Sequence, residues 1–304
     1  MDPIVPSSDP FEIHKPGLVH SVLDFDAVRR YFEAHGVQDR DMYESIDSVA
    51  DLLDLETRRA QFGQHFGEGV PTDLLMMALG EPGNPAASKV GGRPFWPEGK
   101  PWPTLADGEP HRFLAQFHFG DSRDLVGITP GALLVLTTED EEAWLWEPEQ
   151  LHAHWLDPDQ CTPQAFDPPS TTATLPMYGV RHRAMDFPGA SEWLAANYEQ
   201  GAEGEKRADW CGPATVLLST KIGGHPSFIQ EDVGANLRFL AQLNSFTPNS
   251  GSAYPVIHRP EPLPNPWGDG ADEYERHRTC YGDVGSLYLF LDSGGRLHFE
   301  FQCS

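Results

Sequence analysis

Three kinds of polar side chain occur twice in this sequence, each time in the same order along the chain. They are a lysine, an arginine and a glutamine, found as Lys89, Arg112 and Gln116 and again as Lys221, Arg238 and Gln242. An ammonium or amide group placed among apolar residues needs hydrogen-bond partners, or else it faces a ligand. The six residues therefore either anchor loops or line a polar ligand site between two structural units. Both interpretations remain open from the sequence.

Two histidines, His152 and His154, are the one local suggestion of a metal site. On a strand their imidazoles share a face, as paired zinc ligands can. The spacing indicates no third ligand, and the sequence has neither His-Glu-x-x-His nor Cys-x-x-Cys. We therefore predict no metal and no cofactor.

The remaining catalytic patterns are weak. Cys211, beside a Gly-Pro turn, is the best-placed thiol for a nucleophile, but no histidine can be assigned to it from the sequence. The alternative is a small buried apolar group. No Gly-x-Ser-x-Gly motif is present, and the Gly-Gly pairs precede X-Pro and a strand instead of the helix that a phosphate site needs. The sequence leaves catalysis open but favours a protein that is not an enzyme.

The polar residues belong to three blocks that occur twice in the same order. The first is Ser-Lys-Val-Gly-Gly-Arg-Pro from Ser88 and Thr-Lys-Ile-Gly-Gly-His-Pro from Thr220. The second is Arg-Phe-Leu-Ala-Gln from Arg112 and from Arg238, and the third is a glycine followed by an apolar run, from Gly131 and from Gly285. This order indicates two copies of one unit. We place copy one at about 85–147 and copy two at about 214–304, within a domain of residues 80–304.

Alternating and apolar runs predict the strands of each copy. In copy one they cover 112–118, 133–137 and 143–146, and in copy two 237–243, 285–291 and 297–303. The middle of the chain holds a short helix after Ser191, and 246–278 read as a proline-rich insertion.

Residues 1–79 lie outside the repeated blocks and carry helix signals. We predict one helix from an Asp24 cap to Gly36, a second from Ser48, and a third from Thr72 to a stop at Gly80. The sequence therefore predicts an α-rich N-terminal segment ahead of a duplicated, largely antiparallel β-sheet unit, which is an α+β fold.

The charge of the chain restricts its partners. It has 46 acidic and 21 basic residues, a formal net charge of −25. Such a field repels nucleic acid and anionic lipid, whereas it speeds encounter with a basic protein. The sequence shows no apolar run of membrane-spanning length and no secretory signal at its start, and the four cysteines are scattered. We therefore expect a cytoplasmic protein with reduced thiols.

Two features could form a protein-binding surface. Tryptophans in proline-rich loops could lie at the surface, where this residue type often dominates interfaces, or they could fold back onto the core. The second feature is an acidic turn that would attract a basic partner. The tryptophans are Trp96, Trp102 and Trp267, and the acidic turn comprises Glu139, Asp140, Glu141 and Glu142.

The ordered blocks resemble the YwqG-like family of bacterial proteins, a domain family of unknown function. The resemblance covers about 80–304, including Tyr281-Gly282-Asp283 and the terminal Phe-Gln-Cys-Ser. It implies an α+β fold built on a duplicated, largely antiparallel sheet, and it singles out Asp283 as a turn cap or ligand-binding residue. Some members are similar to predicted immunity proteins encoded beside polymorphic toxins.

Two functions follow as expectations. The first is a cytosolic immunity-type protein that neutralises a toxin by binding directly to the toxin's basic domain. The second is an enzyme or small-ligand-binding protein that uses the paired polar residues and Asp283 at the junction of the copies. A deep shared pocket would favour the second function, and side chains held separately by their own loops would count against it.

Overall fold

The structure is a computed structural model that describes residues 11–27, 29–30, 69–129, 132–140, 142–169, 176–187, 219–230, 233, 236–245, 279, 281–282 and 285–303. The helices predicted after Ser48 and Ser191, the insertion at 246–278, and the positions of Cys211, Trp267 and Asp283 lie outside these residues.

One β-sheet contains every strand in the described part of the chain. The strands are β1 (Glu12–Ile13), β2 (Val22–Leu23), β3 (Val70–Leu79), β4 (Lys89–Val90), β5 (Arg112–His118), β6 (Leu133–Thr138), β7 (Leu151–Leu156), β8 (Met177–Asp186), β9 (Lys221–Gly223), β10 (Arg238–Asn244), β11 (Ser286–Leu291) and β12 (Leu297–Gln302). Their order is β12-β11-β10-β9-β3-β8-β4-β5-β6-β7, and the β1–β2 hairpin joins at β8. All pairs are antiparallel except β2 with β8.

The sheet is symmetric about its central pair, β3 and β8, so the duplication seen in the sequence is visible in the structure. On each side of this pair lie four strands of one copy. The hydrogen bonds obey the same symmetry, because Gly179 N–H donates to Ser88 O at 2.9 Å and Leu75 N–H donates to Thr220 O at 3.0 Å. A β-bulge follows Phe113 in β5, and the same bulge follows Phe239 in β10.

The strand that precedes each copy in the chain, β3 or β8, pairs with the other copy. Although β3 directly precedes β4 in the chain, it pairs with β9, while β4 pairs with β8. The β3–β8 pairing then runs without a break from Val70 opposite Asp186 to Leu79 opposite Met177. The exchange makes the two copies one continuous sheet.

Apolar side chains from both copies share one core on one face of this nearly closed sheet. Leu114, Leu134 and Leu136 of copy one meet Leu240, Leu287 and Leu289 of copy two. The opposite face of β5–β7 is covered by the proline-rich segment that carries Phe95, Trp96 and Trp102. Because a buried leucine contributes roughly 1.5–3 kcal/mol, the shared core holds the copies together strongly.

The predicted α+β class, with an α-rich N-terminal segment, is wrong. Strand accounts for 41% of the structure and helix for 10%. Residues predicted as the third helix, from Thr72, form β3 in the centre of the sheet. A short run of Leu, Met and Ala fits a buried strand as well as a helix, and here pairing on both sides outweighs helix propensity.

Two smaller predictions have mixed outcomes. Residues 25–27 and 29–30 are helical, and Asp24 Oδ1 accepts the Ala27 N–H at 3.0 Å as a cap. Residues 143–146 were predicted as a strand, but Ala143–Leu145 is a 3-10 turn whose Trp144 and Leu145 are buried. Among the described residues, none of the helices combines the length and hydropathy that a membrane span requires.

Candidate functional site

The paired lysines hold the turns that follow their own strands. Lys89 Nζ donates to Glu81 Oε2 at 2.9 Å, and Lys221 Nζ donates to Asp186 Oδ2 at 2.8 Å. In each copy the same carboxylate also accepts the N–H of the residue after the Gly-Gly pair, Arg93 or His225. The glycines are needed there, since all four have positive φ between 62° and 77°. Burial lowers the pKa of Lys89, while Glu81 opposes that shift.

The paired glutamines anchor the same turns from the next strand. Gln116 Oε1 accepts the Phe95 N–H at 2.8 Å, and its Nε2 donates to Pro85 O and Ala87 O. In the equivalent position, Gln242 Oε1 accepts the Ser227 N–H at 3.1 Å. Each glutamine lies directly opposite the lysine of its own copy. These contacts match the loop-anchoring interpretation, in which the polar pairs serve the fold.

The paired arginines differ from each other. Arg112 begins β5 opposite Thr138 and is half-buried. Arg238 is exposed, donates from Nη1 to Val126 O, and lines a cavity of about 510 Å³. Residues of copy one, including Gly127 and Trp155, form one wall of this cavity, and Arg238 and Leu291 of copy two form the other. Of the six paired residues, Arg238 is the one that lines this inter-copy cavity.

The loop tryptophans are placed in the core where the structure describes them. Trp96 is 1% exposed and Trp102 is 8% exposed, and their rings meet edge to face at 4.8 Å. Trp102 Nε1 donates to His111 O and Trp96 Nε1 to Lys100 O, so both polar ends are satisfied. The proline-rich segment folds over the sheet, and neither ring faces a partner in this arrangement.

The acidic turn continues into a longer connection between β6 and β7, residues 139–150. Asp140 Oδ1 accepts the N–H groups of Glu142 and Ala143 at 3.0 Å, which shapes the turn. Trp144, 1% exposed, packs edge to face with Tyr281 and Phe301. Trp146 is 72% exposed, the highest exposure among the large apolar residues described. Glu139 and Glu142 are exposed, and Glu141 lies outside the described residues.

A hydrogen-bonded relay of Ser88, His20 and Asp121 joins the N-terminal hairpin to copy one. Ser88 Oγ is 2.8 Å from His20 Nε2, and His20 Nδ1 is 2.8 Å from Asp121 Oδ2. The Ser88 N–H also points at Nε2, at 3.1 Å, so we assign the ring proton to Nδ1. Burial alone would raise the pKa of Asp121, but hydrogen bonds from the His20 ring and from the N–H groups of His20 and Val19 lower it to about 2.

This relay has the order of groups that activates a serine nucleophile. However, Ser88 and His20 are each only 2% exposed, and Ser88 Oγ already accepts the His118 N–H at 2.9 Å. Copy two repeats that bond without a histidine, because Thr220 Oγ1 accepts the Asn244 N–H at 3.1 Å. The hydroxyl at this position therefore braces the sheet, and the relay is a structural connection.

A second polar cluster surrounds the predicted pair of histidines, which do share a face of β7. His152 Nε2 is 3.0 Å from Glu139 Oε1. Thr137 Oγ1 is 3.1 Å from His154 Nε2 and 3.3 Å from His111 Nδ1. One ligand atom each of His111, Glu139 and His152 lie within 4.8 Å of one another. Burial and neighbouring positive groups lower the pKa of His154 to about 4, and burial lowers that of His111.

The sequence did not reveal His111, Glu139, His20, Asp121 or Trp146 in these roles. The first four belong to clusters whose members come from separate elements, and no spacing connects them. Trp146 was predicted to lie on a strand. A sequence signal for Trp146 is the comparison of the copies, because residues 139–150 separate β6 from β7 whereas a short turn after Asp292 closes the equivalent hairpin of copy two.

The fold and these sites define an internally duplicated β-sheet protein whose paired lysines and glutamines anchor its repeated turns. A family model described as "Domain of unknown function (DUF1963)" matches residues 88–294, and the chain belongs to this family. The resemblance to the YwqG-like family is consistent with that membership. No curated protein matches the chain by sequence.

Proposed function

We propose that this protein works by binding a basic protein partner through the β6–β7 connection, residues 139–150, as an immunity-type protein that neutralises a toxin. The observation that carries the proposal is Trp146, which is 72% exposed. Large exposed aromatic residues are enriched among those that dominate protein interfaces. The immunity-type role rests on this observation and also on the resemblance to the YwqG-like family.

The connection holds Trp146 in a defined position before any partner arrives. The residues just before it, Trp144 and Leu145, are buried in the shared core. The ring of Trp146 itself contacts Phe301 of β12 edge to face, at 6.4 Å. A contact residue that is already ordered loses little conformational entropy on binding, so the fixed position of Trp146 favours tight association.

Three glutamates lie near this tryptophan in the sequence of the same connection. Glu142, Glu147 and Glu149 are all exposed. Together with the net charge of −25, they provide an attractive field for a basic surface. Charges at the edge of an interface act mainly on the association rate, whereas a central aromatic residue acts on dissociation.

The test is capture of a partner from a lysate of the source organism with wild-type protein and matched variants. We expect W146A to weaken the captured complex at least about 30-fold, the loss of a 2 kcal/mol hot spot. The triple reversal E142K/E147K/E149K should slow association, and this effect should fade at high salt. Co-expression with wild-type protein should protect cells from the captured partner.

Two controls make the result specific. W155A removes the other exposed tryptophan among the described residues, which is 41% exposed and lines the inter-copy cavity. E98K/E109K/D159K makes the same change in net charge at exposed acids elsewhere. Retention of one protein that survives W146A and the loop reversal would contradict the proposal, as would the absence of any retained protein.

The inter-copy cavity supports the second candidate, a small-ligand site. Its volume of about 510 Å³ lies within the range of small-molecule sites, and Arg238 provides a charged group for an acidic ligand. A metabolite that binds wild-type protein but not R238A or W155A would favour this candidate over partner binding.

A further inference from the structure

We propose that His111, Glu139 and His152 form a binding site for a divalent transition-metal ion, and that Zn²⁺ fits their donor atoms best. The site shares Glu139 with the β6–β7 connection, but the zinc measurement that tests it requires no protein partner. It rests on the arrangement of three adjacent strands and on a comparison between the two copies.

Three neighbouring strands bring the ligands to the same end of the sheet. His111 directly precedes β5, Glu139 directly follows β6, and His152 is the second residue of β7. Arg112 pairs with Thr138 and Thr138 pairs with Leu151, so the three ligands lie one residue away from a single cross-strand row. Their ligand atoms lie within 4.8 Å of one another. The register of the sheet therefore brings three residues that are far apart in the sequence into one cluster.

The cluster needs only small side-chain movements to hold an ion. Ligand bonds of about 2.0–2.1 Å in a tetrahedral site put neighbouring ligand atoms roughly 3.3 Å apart. His152 Nε2 and Glu139 Oε1 are already 3.0 Å apart. Their side chains are 37% and 46% exposed, so they can adjust toward His111, which is buried.

The buried ligand is oriented by neighbours that metal-binding histidines commonly have. Thr137 Oγ1 lies 3.3 Å from His111 Nδ1 and also contacts His154. The contact of Thr137 with the His111 ring restricts the rotation of that ring and selects its tautomer.

Copy two provides an internal comparison. The pair of His152 and Glu139 is repeated there as His298 and Asp292, with Nε2 3.1 Å from Oδ2. By the register, Leu237 takes the place of His111, and Phe290 takes the place of Thr137. The histidine–carboxylate pair thus belongs to the repeated unit. The third ligand and its orienting hydroxyl belong to copy one alone.

The donor set selects the class of metal. Two imidazole nitrogens and one carboxylate oxygen suit Zn²⁺ and its neighbours in the transition series, whereas Mg²⁺ and Ca²⁺ prefer oxygen ligands throughout. Three protein ligands leave a tetrahedral ion one position for water. A half-exposed ion with such a position can act as a Lewis acid.

The experiment is equilibrium dialysis of the full chain, without a polyhistidine tag and stripped by a chelator, against micromolar Zn²⁺. Metal content is read by mass spectrometry. We expect one tightly bound ion per chain, with affinity reduced at least about tenfold in E139A and in H152A. These two positions are partly exposed, so the variants should fold, which the unfolding temperature verifies. H111L, which copies the residue of copy two, should also lose the ion.

The matched controls are H298A and D292A, which break the equivalent pair in copy two and should leave zinc affinity unchanged. Co²⁺ gives a second readout, because a four-coordinate site with imidazole ligands produces visible absorption bands that E139A and H152A should abolish. The proposal is overturned if folded wild-type protein binds no zinc at micromolar concentration. It is also overturned if E139A and H152A bind as wild type does, or if H298A loses the same affinity.

Discussion

Ser88 and Thr220 show how one residue position can serve the repeat and also gain a local contact. Both hydroxyls accept an N–H from the neighbouring strand, but only Ser88 also meets a histidine, His20. The serine, histidine and aspartate resemble a catalytic relay in their order, yet the shared bond explains why a hydroxyl is present. The burial of Ser88 and the matching bond of Thr220 therefore indicate that the relay has a structural role and not a catalytic one.

His118, which lies beside this relay, gives a prediction for stability against pH. Burial and the nearby His20 lower the pKa of His118 to about 4, against the opposing effect of Asp121. The unfolded chain takes up this proton near pH 6.5 and the folded protein only near pH 4. The free energy of unfolding should therefore fall by on the order of 3 kcal/mol as the pH drops through this window.

The variant H118N tests that assignment, because copy two has Asn244 in the equivalent position. Its free energy of unfolding, measured by urea titration at several pH values, should depend less steeply on pH between 4 and 6.5 than that of wild type. His154, with a pKa of about 4, should supply part of the remaining dependence. An unchanged slope in H118N would show that the proton uptake belongs to other groups.

At the scale of elements, each copy fastens its Gly-Gly turn to the sheet with a lysine and a glutamine. The lysine is adjacent to the turn, whereas the glutamine comes from the next strand, so local and distant residues hold the turn together. The fastening is stronger in copy one. Gln116 makes three hydrogen bonds to the turn segment, whereas Gln242 Nε2 is buried with no hydrogen-bond partner among the described residues.

This difference predicts unequal costs for the same substitution. Q116A and Q242A remove the same atoms from the same strand position, but Q116A leaves three backbone groups unsatisfied. Since each such buried group costs roughly 1–3 kcal/mol, Q116A should lower the free energy of unfolding by at least about 2 kcal/mol more than Q242A. Chemical denaturation of both variants measures the difference, and equal losses would contradict the anchoring role described for Gln116.

The elements also show what the sequence could and could not predict. Arg112–His118 forms the predicted strand, and β10 matches the predicted strand at 237–243 to within one residue at each end, because alternation and the repeat agreed. β3 was mistaken for a helix because its Leu, Met and Ala residues are good helix formers, and its pairing with β8 and β9 comes from distant segments. The histidine–glutamate cluster depends on cross-strand register, which single-sequence spacing does not contain.

At the scale of the whole molecule, the described strands form a symmetric sheet, and the two copies differ in some of their connections. The exchanged strands and shared core belong to both copies and account for the fold. His111 and the β6–β7 connection occur in copy one, whereas copy two closes the equivalent hairpin with the short turn between Asp292 and Arg296. Because neither feature has a counterpart in copy two, we propose that copy one carries the functional surfaces.

The most direct test of this account is hydrogen–deuterium exchange of the protein with and without its captured partner. We expect the partner to slow exchange in peptides covering 142–150, and to leave the copy-two turn at 292–296 unchanged. Slowed exchange confined to 127–129, 132 and 155–157, which line the inter-copy cavity, would contradict binding through the β6–β7 connection. Slowed exchange at the turn of copy two instead would contradict the assignment of function to copy one.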